Sequence, residues 1–302
     1  MKRYLINIAI FFAIVAVVDF ALGKAFHYLQ ANVAGGRTGA EYFVCKQSSD
    51  EVIVMGSSRA SHHYVPEIIS ENLGLSCFNA GQDGNGIILQ YGRWKMISNR
   101  YTPKLIVYDV EPFFDLYEND NTRYIDRLKP FASDKNVHRY IAELYTLERY
   151  KLLSQLYRYN FKFLEISYDC IRSVSYNNGY DPLYGHIRQE MINGSNADNS
   201  EIREKVYDDV KIATLRNLIS EAQASDVKVV LVSSPYWKTY GNPDMRIVRQ
   251  IADEFGVPFF DYSDSYISNN PDYFEDSMHL NDKGARVFTN DLTQKLKALL
   301  GV

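Results

Sequence analysis

The sequence predicts an α/β fold of the flavodoxin-like type, a three-layer sandwich with a parallel sheet, and three observations lead to this prediction. Short apolar runs recur along the chain, at positions 52–55, 75–78, 105–108, 227–232 and 257–260. Patterns with helical periodicity separate the runs, as expected for a sheet that helices cover on both faces. Polar residues with candidate chemistry follow the ends of the runs, which is where the active sites of parallel sheets lie.

Four stretches between and after the runs have the pattern of helices that pack on the sheet. They occupy positions 66–72, 87–100, 201–224 and 280–300. Positions 113–200 break the alternation of strand and helix, and the helical periods within them, at 136–159 for example, predict an inserted helical cap over the strand ends.

Tyrosine is concentrated in this insertion, where ten of the 24 tyrosines fall between Tyr117 and Tyr180. One interpretation is that they pack helices, since several recur at helical spacing. The other is an aromatic platform for sugar rings at the site, because tyrosine combines an apolar face with a hydrogen-bonding tip. The second interpretation predicts that some of Tyr117, Tyr124, Tyr176 and Tyr180 face the site.

The N-terminus predicts a membrane anchor. A basic pair at positions 2–3 precedes an apolar run at positions 5–18 that only Asn7 interrupts. Extended to Leu22, the run would span roughly 27 Å as a helix, close to the thickness of a hydrocarbon core. The basic flank predicts an N-terminus in the cytoplasm and a remainder of the chain outside it, that is, a single-pass protein of the cell membrane.

Two other interpretations of this segment stay open. The apolar stretch is short and the sequence at 21–23 could be a cleavage site, so a cleaved signal peptide also fits. A buried core helix is the third interpretation. We expect an anchor, because Asp19 and the helical pattern that continues to Leu29 are unlike a cleavage region.

The predicted organisation follows from these patterns. Residues 1–34 form the anchor helix and linker, and a glycine-rich stretch at 35–39 reads as flexible. Residues 40–302 form the α/β domain, which carries the helical insertion at about 113–200.

Composition and charge limit the function classes. The chain has 302 residues, 46% hydrophobic and 23% charged, with a net charge of −4. No block of lysine or arginine occurs beyond the N-terminus, which argues against a nucleic-acid surface. The sequence has no glycine motif for dinucleotides or phosphates and no zinc-type cluster, so we expect no cofactor and no metal.

Two short motifs far apart in the sequence carry the candidate chemistry. Gly-Ser-Ser-Arg at positions 56–59 directly follows an apolar run, so it places a serine where a buried strand turns into a helix. Asp-Ser-Met-His at positions 276–279 places a carboxylate and an imidazole one turn apart on a loop. Together the motifs supply the nucleophile, base and orienting carboxylate of a triad.

Acyl transfer needs these residue types together. The hydroxyl of Ser58 is a poor nucleophile until a base takes its proton, and the neutral imidazole of His279 can take the proton and later return it. Asp276 is close enough in sequence to accept a hydrogen bond from the other ring nitrogen and fix the tautomer. Ser58 at a helix N-terminus also has backbone N–H groups that can face a developing oxyanion.

The chain resembles the SGNH/GDSL hydrolases in three of their sequence blocks. Its Gly-Ser-Ser matches their Gly-Asp-Ser, so the family's nucleophile carries over to Ser58. Its Asn-Ala-Gly matches a block whose glycine N–H donates to the oxyanion, which gives that role to Gly81 together with Ser58. Asp276 and His279 match the family's final Asp-x-x-His block.

The family's remaining block, Gly-x-Asn-Asp, has no match. After the run 105–108 the chain reads Asp-Val-Glu-Pro from Asp109 onward, so no asparagine is there to donate to the oxyanion, and a carboxylate would repel it. The candidates for substrate binding around the site are Arg59, Asn85 and Asp109. Arg59 could hold an acidic substrate group, and an amide such as that of Asn85 could replace the missing donor.

With its predicted anchor, the chain looks like the extracytoplasmic branch of this family that includes alginate O-acetylation and D-alanyl transfer proteins. The resemblance implies a serine esterase or O-acyltransferase that acts on cell-envelope or exported polysaccharide. Its partners would be an acylated polysaccharide or acyl donor, the membrane through residues 1–22, and a membrane-bound acyltransferase. The alternative is a non-catalytic scaffold or polysaccharide-binding protein on a degenerate fold, which the missing asparagine favours and the intact triad opposes.

Overall fold

A computed structural model describes residues 1–119, 121–172, 174–192, 206–237 and 244–301. Its sheet consists of β1 at Val52–Gly56, β2 at Cys77–Asn79, β3 at Leu105–Asp109, β4 at Lys228–Ser233 and β5 at Phe259–Asp261. The strands lie in the order β2-β1-β3-β4-β5, and every neighbouring pair is parallel. This is the flavodoxin-like order, so the predicted fold class is confirmed.

The described residues also form α-helices between and around these strands in the sequence. In chain order they are α1 at Lys2–Asn32, α2 at Gly36–Lys46, α3 at Ser58–His63, α4 at Pro66–Leu73, α5 at Ile87–Ser98, α6 at Pro112–Asp115, α7 at Lys135–Leu144, α8 at Glu148–Lys151, α9 at Phe163–Ile171, α10 at Gln189–Ile192, α11 at Asp209–Ala224, α12 at Arg246–Phe255 and α13 at Asp282–Leu300.

Helices cover the sheet on both faces. Every residue of β1 and β3 is buried. Because alternate strand residues point to opposite faces, Val52, Val54 and Val107 belong to one apolar cluster with residues of α3, α4 and α13. Helices α5 and α11 contact β1 and β4, respectively. This burial on two sides is why the strands read as continuous apolar runs in the sequence.

Several element boundaries differ from those predicted. Strands β2 and β5 each begin two residues later than the apolar runs that predict them. The predicted helical stretch at 136–159 is divided, because Tyr145 has an extended backbone and ends α7. The last helix begins at Asp282 rather than at 280, since the side chain of Asn281 caps it by accepting a hydrogen bond from the N–H of Gly284. Part of the predicted helix at 201–224 lies outside the described residues.

The chain forms two compact units. Unit 1 consists of Met1–Phe43 and Thr122–Ser175, and unit 2 of Val44–Asn121 and Tyr176–Val302. The whole sheet and both candidate motifs belong to unit 2. The predicted anchor at 1–34, domain at 40–302 and insertion at 113–200 divide the chain at other positions, and these boundaries stay a prediction.

Helix α1 of unit 1 is long and apolar enough to cross a membrane, although a signal sequence would meet the same criteria. Its large apolar side chains are exposed from Leu5 to Leu22, and only Gly23 and Gln30 of the helix are buried. The interpretation of this segment as a buried core helix is therefore wrong. The choice between an anchor and a cleaved signal stays open at this point.

Candidate active site

The candidate nucleophile stands at the sharp turn from β1 into α3. Gly56 has φ +145°, a conformation that residues with side chains rarely adopt, and a Cβ there would lie 2.6 Å from the carbonyl oxygen of Asp109. Ser57 is fully buried, whereas Ser58, the first residue of α3, is partly exposed between buried neighbours. Of the two adjacent serines, the structure therefore makes Ser58 the accessible one.

The two predicted motifs meet at the carboxyl edge of the sheet. The Oγ of Ser58 lies 2.8 Å from Nε2 of His279. On the other side of the imidazole, Nδ1 of His279 lies 3.0 and 3.1 Å from the two carboxylate oxygens of Asp276. With Nδ1–H donating to Asp276, Nε2 is the acceptor that faces Ser58, which is the tautomer that a general base requires.

The carboxylate of Asp276 also shapes the loop that holds His279. Its Oδ1 accepts hydrogen bonds from the N–H groups of Met278 and His279, at 2.7 and 2.8 Å. Burial opposes the ionisation of Asp276, but the hydrogen bond and charge of His279 and the two N–H groups outweigh it, so the pKa of Asp276 is lowered. Asp276 therefore stays an anion that can stabilise an imidazolium at His279.

A second, fully buried histidine fixes the position of this loop. His63, at the end of α3, accepts a hydrogen bond at Nε2 from the N–H of Leu280, 2.9 Å away. Its Nδ1 lies 2.9 Å from Oγ of Ser234, which in turn donates to Asp109 at 3.0 Å. The chain Asp109–Ser234–His63–Leu280 thus connects the ends of β3 and β4 to the residue next to His279. Sequence reasoning did not assign this role to His63.

Arg59 and Asp109, two predicted substrate-binding residues, are buried and contact each other, and their contact with a substrate stays a prediction. Arg59 is 1% exposed and Asp109 is fully buried. Nε of Arg59 lies 3.0 Å from the carboxylate of Glu111 and 3.5 Å from that of Asp109. Burial disfavours the guanidinium, but the two carboxylates outweigh this and raise the pKa of Arg59. The expected repulsion between Asp109 and an oxyanion is thus offset by a buried counterion.

Gly81, a predicted oxyanion donor, has another hydrogen-bond partner. Its N–H donates to Oδ1 of Asn79 at 2.9 Å. Glycine is required here for a separate reason, because a Cβ would lie closer to the backbone N of Ser61 than real Cβ atoms come. The structure therefore supports a packing role for Gly81 under α3. The N–H of Ser58 opens α3, where helix geometry provides no intrahelical carbonyl, and its role as oxyanion donor stays a prediction.

The side-chain amide of Asn85, proposed as a replacement donor, is also engaged, and the neighbouring Gln82 has a hydrogen-bond partner too. Nδ2 of Asn85 donates to the carbonyl oxygen of Asp83 at 2.9 Å, and Oε1 of Gln82 accepts from Arg93 at 2.9 Å. Both side chains are buried. Asn85 stabilises its own loop in this structure, and its contact with a substrate stays a prediction.

His62 is a further residue beside the candidate triad. It follows Ser58 by one helical turn, and its ring centroid lies 5.5 Å from that of His279. Its Nδ1 lies 2.6 Å from the carbonyl oxygen of Asp181, and its Nε2 lies 3.3 Å from the carboxylate of Asp83. Burial opposes protonation, but the two acceptors outweigh it and raise the pKa of His62. The i, i+4 spacing from Ser58 was the available signal.

The same three residues are a group that could hold a metal ion. One ligand-type atom each from His62, Asp83 and Asp181 lies within 4.8 Å of the others. The hydrogen bond between His62 and Asp83 explains this arrangement without an ion. The expectation of no metal and no cofactor stays a prediction.

Three of the four tyrosines that the sugar-platform interpretation names are buried. Tyr117 and Tyr180 are 7% and 3% exposed, and Tyr124 is fully buried. The hydroxyl of Tyr180 donates to Asp282 at 2.9 Å. Of the four candidates for a sugar platform, only Tyr176 is half-buried, with its ring centroid 6.0 Å from that of Phe78. The packing interpretation therefore fits three of these tyrosines.

Comparison with solved structures gives matches of low similarity. A protein from Bacteroides fragilis, provisionally described as an acylhydrolase, is 14% identical, and the match covers 92% of this chain and 96% of that chain with a TM-score of 0.42. An acetyl xylan esterase, AlAXEase, is 12% identical over 82% of this chain and 98% of its own, with a TM-score of 0.39. A GDSL-like lipase from Bacteroides thetaiotaomicron is 14% identical over 92% and 99%, with a TM-score of 0.34.

No protein-family model and no curated protein matches the sequence. At this level of likeness, an activity has to be inferred from the residues of the site itself.

The first prediction concerns the register of the nucleophile. A fluorophosphonate that labels activated serines should label the wild type, and Ser58→Ala should abolish labelling because it removes the hydroxyl that donates to Nε2 of His279. Ser57→Ala is the matched control and should keep labelling, since Oγ of Ser57 is buried without a hydrogen-bond partner. Labelling is measured by gel fluorescence. If Ser57→Ala lost labelling while Ser58→Ala kept it, the assignment of the nucleophile to Ser58 would be wrong.

The second prediction concerns the buried His63. Its pKa is lowered well below the usual value because burial disfavours the imidazolium, and His279 and Arg59 add repulsion. The unfolded chain takes up a proton below about pH 6.5 while the folded chain does not, so the stability that neutral His63 contributes is present above that pH and is lost as pH falls.

The free energy of unfolding from urea titrations should therefore decrease between pH 6.5 and 5 more steeply in the wild type than in His63→Gln, by up to about 1.4 kcal/mol per pH unit. Glutamine can accept from Leu280 and donate to Ser234 without titrating. Identical slopes in the two proteins would show that His63 is not held neutral by the fold.

Proposed function

We propose that this chain is a serine esterase or O-acyltransferase of the SGNH/GDSL type that forms an acyl-enzyme on Ser58. The observation that carries the proposal is the continuous hydrogen-bond path from Ser58 through His279 to Asp276, at 2.8 and 3.0 Å. Ser58 precedes Asp276 and His279 by more than two hundred residues in the sequence. Three side chains of the right types and in the right order meet at the edge of a parallel sheet, at distances that suit the tautomer a general base requires.

The chemistry follows from the positions of the protons. As Oγ of Ser58 attacks the ester carbonyl, its proton passes to Nε2 of His279, and Asp276 stabilises the imidazolium. The tetrahedral intermediate collapses, the C–O bond to the leaving group breaks, and His279 returns the proton to the departing alcohol. Water or a sugar hydroxyl then gives its proton to His279 and attacks the carbonyl carbon of the acyl-Ser58 ester. The bond from that carbon to Oγ of Ser58 breaks, His279 returns the proton to Oγ, and the acid or the new ester is released.

The setting of the proposal is the outer side of a cell membrane. An exposed apolar α1 with the basic pair at positions 2–3 in front of it supports an anchor with the catalytic unit outside the cytoplasm. An acylated polysaccharide of the envelope or an exported one would be the substrate, with a membrane-bound acyltransferase as a partner that delivers acyl groups. Nucleic acid has no place in this proposal.

A second candidate, a non-catalytic scaffold or polysaccharide-binding protein, is favoured by the oxyanion region. No asparagine follows β3, and the N–H of Gly81 already donates to Asn79. Each missing oxyanion donor costs about 3–4 kcal/mol of transition-state stabilisation in serine hydrolases. A slow enzyme and an inactive scaffold therefore differ in measurable turnover at Ser58.

The third prediction separates these candidates by kinetics on a small activated acetyl ester. Ser58→Ala and His279→Ala should each lower kcat by at least about a thousandfold, and the double variant should lose little more, because the triad acts as a unit. Asp276→Ala should keep more residual activity. Hydrolysis that is the same in wild type and Ser58→Ala would favour the scaffold. Adding a sugar acceptor and measuring acetylated sugar against free acetate distinguishes transfer from hydrolysis.

The fourth prediction concerns the anchor. The expressed protein should stay with the membrane fraction after alkaline and high-salt washes, because a spanning helix is held by apolar burial rather than by charge. Peptide sequencing should find the N-terminus at or next to Met1. A mature N-terminus near Lys24, with the protein in the soluble fraction, would show a cleaved signal instead.

A further inference from the structure

Unit 1 exposes a group of large apolar side chains that its own fold leaves uncovered. We call this group the 147–164 patch. It consists of Leu147, Tyr150, Leu153, Phe161 and Leu164, each between 58% and 71% exposed. Scattered exposed leucines are ordinary, but several large apolar side chains this exposed within one short stretch of chain indicate a contact surface.

The patch adjoins α1 at the point where the apolar run of that helix ends. The carboxylate of Asp19 accepts hydrogen bonds from the hydroxyl of Ser154 and from the N–H groups of Gln155 and Leu156, the latter two at 2.8 and 3.1 Å. At Gly23 a Cβ would collide with the side chain of Gln155, so helix and loop are in close contact there. Leu153 is the residue directly before this contact.

The segment that carries Phe161 and Leu164, the second part of the patch, contacts the next turns of α1. The ring of Phe26 lies 6.0 Å from that of Tyr159 and 6.4 Å from that of Phe163. Phe161 and Leu164 flank these contacts in the chain. From Asp19 to Phe26 the helix rises about 10 Å. The segments that carry the patch therefore contact α1 along this short stretch.

The depth of this stretch follows from the length of the span. A helix needs about 20 apolar residues to cross a hydrocarbon core. The apolar run from Leu5 to Leu22 comes close to this length, so Asp19 falls about 5 Å inside the end of the span. A carboxylate at that depth needs hydrogen-bond partners, because hydrocarbon offers none. The loop at 154–156 supplies them and must therefore reach the same depth.

We propose that the 147–164 patch inserts into the headgroup region and upper acyl chains of the bilayer that α1 spans, so that unit 1 is partly immersed. The proposal rests on the anchor of the proposed function, and it is independent of the chemistry at Ser58. Its occupant is a lipid surface. Leucine and phenylalanine tips insert below the headgroups, and tyrosine is typical of the interface itself.

The polar neighbours of the patch fit a lipid surface. The guanidinium of Arg149 lies over the ring of Tyr150, with 5.1 Å from its carbon to the ring centroid, and Lys151 beside it is exposed. Such cations can reach lipid phosphates while their stems stay against apolar groups. The immersed loop also explains why Asp19 interrupts the apolar face of a spanning helix.

The fifth prediction tests this depth with full-length protein in vesicles of phosphatidylethanolamine and phosphatidylglycerol. Leu153→Cys and Phe161→Cys, each in a Cys170→Ser background, would carry an environment-sensitive fluorophore, since Cys45 and Cys77 are buried. Val15→Cys marks the span, and Tyr266→Cys, at a 62% exposed position of unit 2, is the matched control. Both patch side chains are more than half exposed, so the substitutions remove little packing.

Lipids that carry a nitroxide near the headgroup should quench most of the fluorescence of the probes at 153 and 161. Lipids with a nitroxide deep in the acyl chains should quench these probes less. The probe at 15 should respond most to the deep nitroxide, and the probe at 266 to neither. Quenching at 15 without quenching at 153 and 161 would overturn the proposal and leave the anchor intact. No quenching at 15 would overturn the anchor and this proposal together, whereas the labelling of Ser58 would still stand.

Discussion

The buried hydrogen-bond chain through His63 is the constraint on which the candidate site depends. The loop that carries His279 has no regular secondary structure of its own, and its position has to be fixed from the sheet. His63 does this by accepting from Leu280 while Ser234 connects it to Asp109. This series of hydrogen bonds requires a neutral imidazole at His63, because a protonated Nε2 cannot accept a hydrogen bond from the N–H of Leu280. Burial supplies that condition, and the 2.8 Å contact between Ser58 and His279 follows from it.

A second constraint is the buried charge behind the nucleophile. Two carboxylates, Asp109 and Glu111, lie at the end of β3 where a hydrolase of the proposed type would place an amide donor. Arg59, the residue after Ser58, compensates them and donates to the carbonyl oxygen of Val110 at 2.7 Å. Buried ion pairs of this kind contribute little to net stability but cost several kcal/mol when one partner is removed. Arg59 therefore connects α3, which carries Ser58, to the end of β3. A buried ion pair lies where the family pattern would have an oxyanion donor.

The sequence was sufficient to predict the sheet and the meeting of Ser58, His279 and Asp276, but not their surroundings. Apolar runs identify buried parallel strands because burial on both faces removes polar residues, and the position of Ser58 after such a run determines its place at the carboxyl edge. The partners of Arg59 and of the Gly81 N–H could not be predicted, because motif spacing does not reveal which buried groups compensate one another. The roles of His62 and His63 could not be predicted for the same reason, since their hydrogen-bond partners, Asp181 and Leu280, lie far away in the sequence. The division into two units escaped prediction because α1 and the helices after residue 122 are distant in the chain.

The central claim is that Ser58 becomes covalently acylated, and mass spectrometry tests it most directly. The full-length protein would be mixed with an activated acetyl ester, quenched in acid during turnover and digested. We expect the peptide that contains Ser58 to gain the mass of one acetyl group, to lose it on further incubation, and to transfer it when a sugar acceptor is present. Release of acetate while Ser58 stays unmodified, or stable acetylation of another residue alone, would contradict the account.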